Sequence, residues 1–292
     1  MRSSVLLGSF FLGVASLIGP AVRAQDAPTS RPTSSPTSRP ASDQAWTGAL
    51  DETAFAKLHH LRGDAAPALR GETVEIAGTS SYLSLPADGK PPLGGVVVIH
   101  EWWGLNDHIK HWADRLAEDG FAAVAVDLYG GKVATEREDA LANMKAVQED
   151  GARRVLLAAH KFLADDPRIG AERRACIGWC FGGGWSLQLA LAAPDLDAAV
   201  IYYGRLETDA QRLRQINARV LAVFGSQDSS IPNETVDLFE ASMQEAGRDV
   251  RVLRYDANHA FANPSSDRYD GEHAADAWRE VRAFLAPLRE RG

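Results

Sequence analysis

The sequence has little cysteine: Cys176 and Cys180 are the only two in 292 residues. Two cysteines in an exported protein would suggest a disulfide. If residues 174–179 form a strand, however, the two Cα atoms lie roughly 13 Å apart, and a disulfide needs about 7 Å or less. We therefore predict no disulfide, and we interpret Cys176 as a buried small apolar residue. Cys180 then needs a separate explanation.

Basic clusters and long apolar runs are also scarce. The formal net charge is −8, and no basic patch is interleaved with aromatic residues, which argues against nucleic-acid binding. Beyond the N-terminal segment, no run of apolar residues is long enough to span a membrane. Hydrophobic residues make up 45% of the chain and charged residues 24%, so the composition is that of an ordinary soluble protein with a sizeable core.

The N-terminal region has the composition of an export segment followed by a linker. Residues 1–24 have an early Arg2, an apolar middle and a small-residue ending, the pattern of a signal peptide that is cleaved after Ala24. A retained membrane anchor is the alternative. Residues 25–45 are almost all Pro, Ser, Thr, Ala and Arg, which predicts a disordered linker. We therefore expect an exported protein, periplasmic or secreted, with a folded domain over residues 46–292.

Strand and helix patterns alternate through this domain. A strand pair is expected in GETVEIAG and SYLSLPA, and further strands are predicted at 94–100, 121–129, 173–179, 198–204, 219–225 and 249–256. Predicted helices cover 107–119, 207–216 and 271–288, with others after Gly182 and in ETVDLFEASMQEAG. A long helical region is predicted over 135–164, with Gly151 as the candidate position for a break. Such alternation predicts an α/β fold with a mostly parallel central sheet and helices on both faces. Ligands of such folds bind at the carboxyl ends of the strands.

Cys180 lies between a predicted strand and a predicted helix, in the segment IGWCFGG. Its G-x-C-x-G context is the pattern of a nucleophile elbow with cysteine in place of serine. The flanking Gly178 and Gly182 allow a tight turn that raises the nucleophile above the sheet. The N-terminus of the following helix favours a thiolate. The alternative is a glycine-rich turn with an incidental cysteine.

Asp228 follows the predicted strand 219–225, and His259 follows the next predicted strand, 249–256. The order Cys180, Asp228, His259 is the order of nucleophile, acid and histidine in hydrolases of this architecture. His259 would take the thiol proton, and Asp228 would fix the tautomer of the imidazole. Asp127 also ends a predicted strand, but it precedes the cysteine and is the less favoured acid.

Glu101 follows the strand 94–100 in the segment IHEWWGLN. A carboxylate close to a thiol could accept its proton. The backbone N–H groups of Trp102 and Phe181 would then form an oxyanion hole. The H-E-x-x-H zinc motif is excluded here, because Gly104 stands where the second histidine is needed.

Several segments resemble the dienelactone hydrolase family of carboxymethylenebutenolidase-like enzymes. They are HEWWGLN, AVDLYGG, IGWCFGG, YYG, GSQDSSIP and HAFANPSSDRYD, with the trailing AADAWREVRAFL, so the resemblance runs from about residue 70 to the C-terminus. It implies an α/β-hydrolase fold that cleaves lactones or small esters with a Cys180–Asp228–His259 triad and needs no metal or organic cofactor. It also implies that Glu101 takes the thiol proton when substrate binds.

The chain departs from this family in its expected substrate-binding residues. Gly131 and Asn263 stand where family members use arginines to hold a substrate carboxylate, which argues against dienelactone as the substrate. Lys132 or Arg205 could take over that role. The aromatic residues expected to line the pocket are Trp102, Trp103, Phe181, Tyr202 and Phe261.

Two other functional classes fit parts of the pattern. A thiol redox protein would use Cys176 and Cys180 together, but their C-x-x-x-C spacing in a strand argues against that role. A catalytically silent binding module would keep the hydrolase scaffold without turnover. We favour a hydrolase that works as a monomer on a small ester or lactone through a thioester acyl-enzyme.

Overall fold

The computed structural model describes residues 68–289. The expected signal peptide (1–24), the expected linker (25–45) and the first residues of the predicted domain lie outside the described residues. Within residues 68–289, no helix combines the length and the apolar character that crossing a membrane requires.

An eight-stranded sheet forms the centre of the domain. The strands are β1 (Glu72–Ile76), β2 (Thr79–Ser84), β3 (Gly94–Ile99), β4 (Phe121–Val126), β5 (Arg174–Trp179), β6 (Ala198–Tyr202), β7 (Arg219–Gly225) and β8 (Val250–Tyr255). Their spatial order is β1-β2-β4-β3-β5-β6-β7-β8. β1 and β2 pair antiparallel, β2 joins β4 antiparallel, and β3 to β8 run parallel. This confirms the predicted α/β fold with a mostly parallel sheet and helices on both faces.

The helices follow the strands in alternation, as the sequence predicts. They are α1 (Asp107–Glu118), α2 (Arg137–Ala146), α3 (Glu149–Asp165), α4 (Phe181–Ala192), α5 (Ala210–Leu213), α6 (Asn233–Glu245) and α7 (Gly271–Leu285), followed by a 3-10 turn at Ala286–Arg289. Strands β3 and β4 are buried along their whole length, which explains their unbroken runs of apolar residues.

Two predicted helices differ from the structure. The helical region predicted over 135–164 is broken, but not at the candidate position Gly151: α2 and α3 are separated at Val147 and Gln148, both of which have extended backbone. The prediction of a helix over 207–216 is also too long, because α5 is a single turn. The Glu207 carboxylate accepts hydrogen bonds from the N–H groups of Thr208 and Asp209, so the side chain satisfies the backbone there without a helix.

Candidate active site

Cys180 occupies a strained turn between β5 and α4. Its backbone has φ 53° and ψ −114°, a region that residues other than glycine rarely adopt. A Cβ atom on Gly178 would collide with the Gly182 carbonyl oxygen, and one on Gly182 would collide with the Ile99 carbonyl oxygen. Glycine at both positions therefore lets α4 start directly against the sheet, and the turn holds Cys180 at the carboxyl edge of β5.

Asp228 and His259 meet at the same edge of the sheet. The His259 Nδ1–H donates to Asp228 Oδ2 at 2.6 Å. The other Asp228 oxygen accepts from the N–H groups of Ser230 at 2.7 Å and Ile231 at 3.2 Å. The Cys180 side chain is near enough to His259 to raise the pKa of that imidazole. The structure therefore brings together the three residues that the sequence places at separate strand ends.

The electrostatics of His259 favour its protonated form. Burial lowers the pKa of His259, but the hydrogen bonds and negative charges of Asp228 and Cys180 outweigh burial and raise this pKa to about 10. Burial raises the pKa of Asp228, but its hydrogen bond to His259 acts against burial, and the pKa is lowered overall. An imidazolium at this position stabilises an adjacent thiolate, so the arrangement is suited to an ionised nucleophile.

Glu101 is buried at the end of β3, beside the His–Asp pair. The side-chain amide of Asn263 donates an N–H to Glu101 Oε2 at 2.5 Å. Its oxygen, Oδ1, accepts from the backbone N–H of Ser265 at 2.8 Å. Glu101 Oε1 has no hydrogen-bond partner within residues 68–289. Burial raises the pKa of Glu101 to about 7, against the lowering effects of His259 and Asn263. Glu101 can therefore exchange a proton near neutral pH.

Changing Glu101 to glutamine is expected to alter how stability depends on pH. Because the folded pKa of about 7 exceeds the ordinary 4.5, the folded protein binds more protons than the unfolded chain between these values. Stability is therefore lost as the pH rises through this range, on the order of 3 kcal/mol. In denaturant titrations, the free energy of unfolding of Glu101→Gln minus that of the wild type should increase from pH 5 to pH 8.

The exposed Glu172 provides a matched control for this experiment. Glu172→Gln should change the free energy of unfolding by the same small amount at both pH values. An equally constant difference for Glu101→Gln would contradict a raised pKa at Glu101.

Of the predicted oxyanion-hole residues, Phe181 directly follows the nucleophile, and Trp102 follows β3, the strand next to β5 in the sheet. Phe181 is the first residue of α4, so its N–H lies at the free end of a helix. Among residues 68–289, neither Phe181 nor Trp102 donates its backbone N–H to a backbone carbonyl outside the regular elements. The half-buried Trp102 and Trp103 have ring centroids 4.9 Å apart. Both N–H groups are thus available to a ligand oxygen.

The structure distributes the other predicted aromatic residues differently. Tyr202 and Phe261 are fully buried, so they belong to the core and not to an accessible pocket wall. The Tyr202 ring stacks on Trp179 at 5.6 Å. The tyrosine that contacts His259 is its neighbour Tyr203, with ring centroids 5.0 Å apart. The sequence YYG could not distinguish these tyrosines, because neighbouring residues in an extended segment point in different directions.

The structure adds a third cation, Arg137, to the predicted Lys132 and Arg205. Lys132 and Arg205 are exposed. The guanidinium of Arg137, at the first position of α2, lies 5.5 Å from the centre of the Trp102 ring. No motif marks Arg137 in the sequence, because the contact depends on how α2 packs over the loop after β3.

Cys176 and Asp127 have structural environments. Both cysteines are free, as predicted. Cys176 is fully buried with its sulfur 3.0 Å from Ser186 Oγ, and burial raises the pKa of its thiol to about 12. Asp127 accepts hydrogen bonds from the backbone N–H groups of Tyr129 and Gly131, so its carboxylate shapes the turn after β4.

The chain is similar to several known proteins. The model of the "Dienelactone hydrolase family" matches residues 80–288. "Protein usf" of Aquifex pyrophilus is 34% identical over 213 residues, which cover 70% of this chain and 91% of that protein. A "Putative carboxymethylenebutenolidase" of Saccharolobus solfataricus is 29% identical over 242 residues, covering 70% and 92%.

A solved structure shows the same fold. The crystal structure titled "Putative Dienelactone Hydrolase" from Klebsiella pneumoniae has a TM-score of 0.69 at 26% identity and covers 75% of this chain and 99% of that one. The chain therefore belongs to the dienelactone hydrolase family, within the α/β-hydrolase superfamily.

Proposed function

We propose that this hydrolase cleaves lactones or small carboxylic esters, with Cys180 as its nucleophile. Membership of the family supports hydrolysis. The observation that carries the finer proposal is the 2.6 Å contact of His259 with Asp228, next to a cysteine in a strained elbow. A nucleophile, a neighbouring base and a group that orients the base are the parts that covalent acyl transfer requires.

The reaction follows from these contacts in two halves. The Cys180 thiolate attacks the substrate carbonyl carbon, and the carbonyl electron pair moves to oxygen, where the N–H groups of Phe181 and Trp102 stabilise it. As the tetrahedral intermediate collapses, the C–O bond breaks and His259 gives its proton to the leaving oxygen. A thioester remains on Cys180, and in a lactone the new alcohol stays attached to the acyl group.

The second half releases the acyl group. His259 removes a proton from water, and the resulting hydroxide attacks the thioester carbon. Collapse of this intermediate breaks the C–S bond and yields the carboxylic acid and the Cys180 thiolate, so that His259 is again protonated. Asp228 keeps the imidazole oriented in both halves. We assign to Glu101 the role of accepting the thiol proton when the resting enzyme holds Cys180 as a thiol.

Arg137 bears on the choice among esters and lactones. Its guanidinium lies over the ring of Trp102, the residue to which we assign one oxyanion N–H. A carboxylate on the substrate would meet this cation at the edge of the site, because Arg forms paired hydrogen bonds with carboxylates. The substrates tested should therefore include lactones matched in size, with and without a carboxylate.

The signal-peptide pattern at residues 1–24 supports a proposal on location. We propose that the protein acts outside the cytoplasm, in the periplasm or after secretion. Fractionation of cells that express the full chain, followed by N-terminal sequencing of the mature protein, tests this. Recovery of the uncleaved chain in the cytoplasm would contradict it.

The decisive test of the chemistry combines a substrate panel with trapping of the acyl-enzyme. Short p-nitrophenyl esters, simple lactones and dienelactone are each incubated with the protein, and product is measured. Quenching in acid during turnover, followed by peptide mass analysis, should show the acyl mass on the peptide that contains Cys180. Turnover without any Cys180 adduct, even at millisecond quench times, would contradict the covalent route. Ligand binding without turnover of any substrate would favour the silent binding module.

A further inference from the structure

Tyr129 carries a buried hydroxyl that the mechanism above does not use. The residue follows β4 and is 7% exposed. Its hydroxyl has no hydrogen-bond partner within residues 68–289. A buried hydroxyl without a partner destabilises the folded state, so native structures rarely keep one without a reason. One such reason is a partner that becomes charged during the reaction.

The ring of Tyr129 packs against the residue that follows the nucleophile. The Tyr129 ring packs 5.4 Å from the ring of Phe181, the residue that follows Cys180. It also meets the His100 ring edge-on at 4.6 Å. Burial first, and then the negative charge of Cys180, raise the pKa of Tyr129 above its ordinary value. The phenol therefore stays protonated at neutral pH and can act as a hydrogen-bond donor close to Cys180.

The backbone around Tyr129 is held in place. Its N–H donates to Asp127 Oδ1 at 2.8 Å, and the other Asp127 oxygen accepts from Gly131. The N–H of the preceding Leu128 donates to His100 Nε2 at 3.1 Å. These contacts come from the turn itself and from the loop after β3. The main chain that carries the Tyr129 ring is thus held in place, and donors on a fixed main chain are effective toward charge that develops nearby.

We propose that Tyr129 donates a hydrogen bond to the Cys180 sulfur when that sulfur is a thiolate. This proposal rests on the proposed function, in which Cys180 is the nucleophile. No proton is transferred: the O–H bond stays intact, and the hydrogen bond weakens when the sulfur loses its charge in the thioester. It forms again when water releases the acyl group. Tyr129 would then be a catalytic residue that stabilises the ionised nucleophile.

The test is Tyr129→Phe, which removes the oxygen and keeps the ring. The rate at which iodoacetamide alkylates Cys180 is measured against pH, with the modified peptide identified by mass. We expect the apparent pKa of alkylation to rise by about one unit. With an ester substrate, kcat/KM should fall by up to about tenfold with little change in KM, because a rise of one unit lowers the thiolate fraction by at most tenfold. The melting temperature should stay the same or rise, because the hydroxyl is unpaired.

Tyr255→Phe is the matched control. Tyr255 is a partly buried tyrosine of β8 whose hydroxyl donates to Asp276 Oδ2 at 2.8 Å. Loss of that hydrogen bond should lower the melting temperature and leave the alkylation profile and kcat/KM unchanged. Opposite effects of the two variants on stability and on reactivity would distinguish a donor to the nucleophile from a tyrosine of the core.

Two outcomes would overturn the proposal. One is an alkylation profile in Tyr129→Phe that superimposes on the wild-type profile. The other is loss of the fold in this variant, because removal of an unpaired hydroxyl should not unfold the protein. Alkylation needs no substrate, so it tests Tyr129 even if no ester is hydrolysed. Conversely, hydrolysis that survives in Cys180→Ala would overturn the proposed function. The alkylation profile would still report whether Tyr129 contacts the Cys180 sulfur.

Discussion

Cys180→Ala is expected to abolish turnover of every ester or lactone that the wild type hydrolyses, with kcat reduced by roughly 10³-fold or more. Alanine keeps the Cβ atom and removes the sulfur that attacks the carbonyl carbon. The oxyanion N–H groups and the His–Asp pair remain, so a small residual rate over water is expected. The measurement is the initial rate at saturating substrate, with circular dichroism and thermal unfolding to show that the variant is folded.

Cys176→Ala is the control for this experiment, because it removes the other thiol from the same chain. Cys176 is fully buried in β5, and Ser186 keeps its hydrogen bond to the Val200 carbonyl oxygen at 2.9 Å without it. Activity should therefore survive, with a modest loss of stability from the smaller side chain. If both alanine variants lost activity equally while folded, a thiol pair would replace the hydrolase reading. If Cys180→Ala retained full activity, the nucleophile would lie elsewhere.

Asp228→Asn is expected to reduce kcat by about 10³- to 10⁴-fold while leaving the fold intact. The carboxylate accepts the Nδ1–H of His259 at 2.6 Å and so directs the other ring nitrogen away from itself. An asparagine amide can present its N–H₂ to the ring and favour the opposite tautomer. It also removes a charge that raises the pKa of His259. The pH profile of kcat/KM should shift along with the loss in rate.

A second His–Asp pair in the same chain provides the matched control. His273 Nδ1 lies 2.8 Å from Asp270 Oδ2 at the start of α7, where both side chains are about one-third exposed. Asp270→Asn keeps the side-chain oxygen that caps the helix by accepting from the His273 N–H. Activity should be unchanged in this variant. Equal losses in Asp228→Asn and Asp270→Asn would show that the effect comes from charge or stability and not from orientation of His259.

The strands and the positions of the three triad residues could be predicted from the sequence, because each of these features follows from a strong local pattern. The run GGVVVI is apolar throughout, and the structure shows it buried along its length as β3. Cys180, Asp228 and His259 follow three parallel strands, and the carboxyl ends of parallel strands lie at one edge of a sheet. Chain order and topology were therefore enough to expect that the three side chains would meet.

Contacts that depend on packing could not be predicted in this way. Asn263 donates to Glu101 across 162 residues of sequence, and no spacing rule links the two positions. The guanidinium of Arg137, at the first position of α2, lies over the ring of Trp102, and no motif in the sequence links these two residues. In each case, the sequence specifies the residue and the assembled loops specify its partner.

The collision-free path that Gly178 and Gly182 provide for the backbone has a consequence for how such enzymes change over time. The location of the nucleophile is set by main-chain atoms of β3, β5 and α4, whereas its chemistry is set by one side chain. A different reactive side chain could therefore occupy the elbow position without displacing the surrounding main chain. Exchange of Cys180 for serine would alter reactivity and leave the architecture unchanged, so new activities can arise here through single substitutions. Gly178 and Gly182 cannot be replaced in the same way, because a side chain at either position would collide with main-chain atoms and displace the turn.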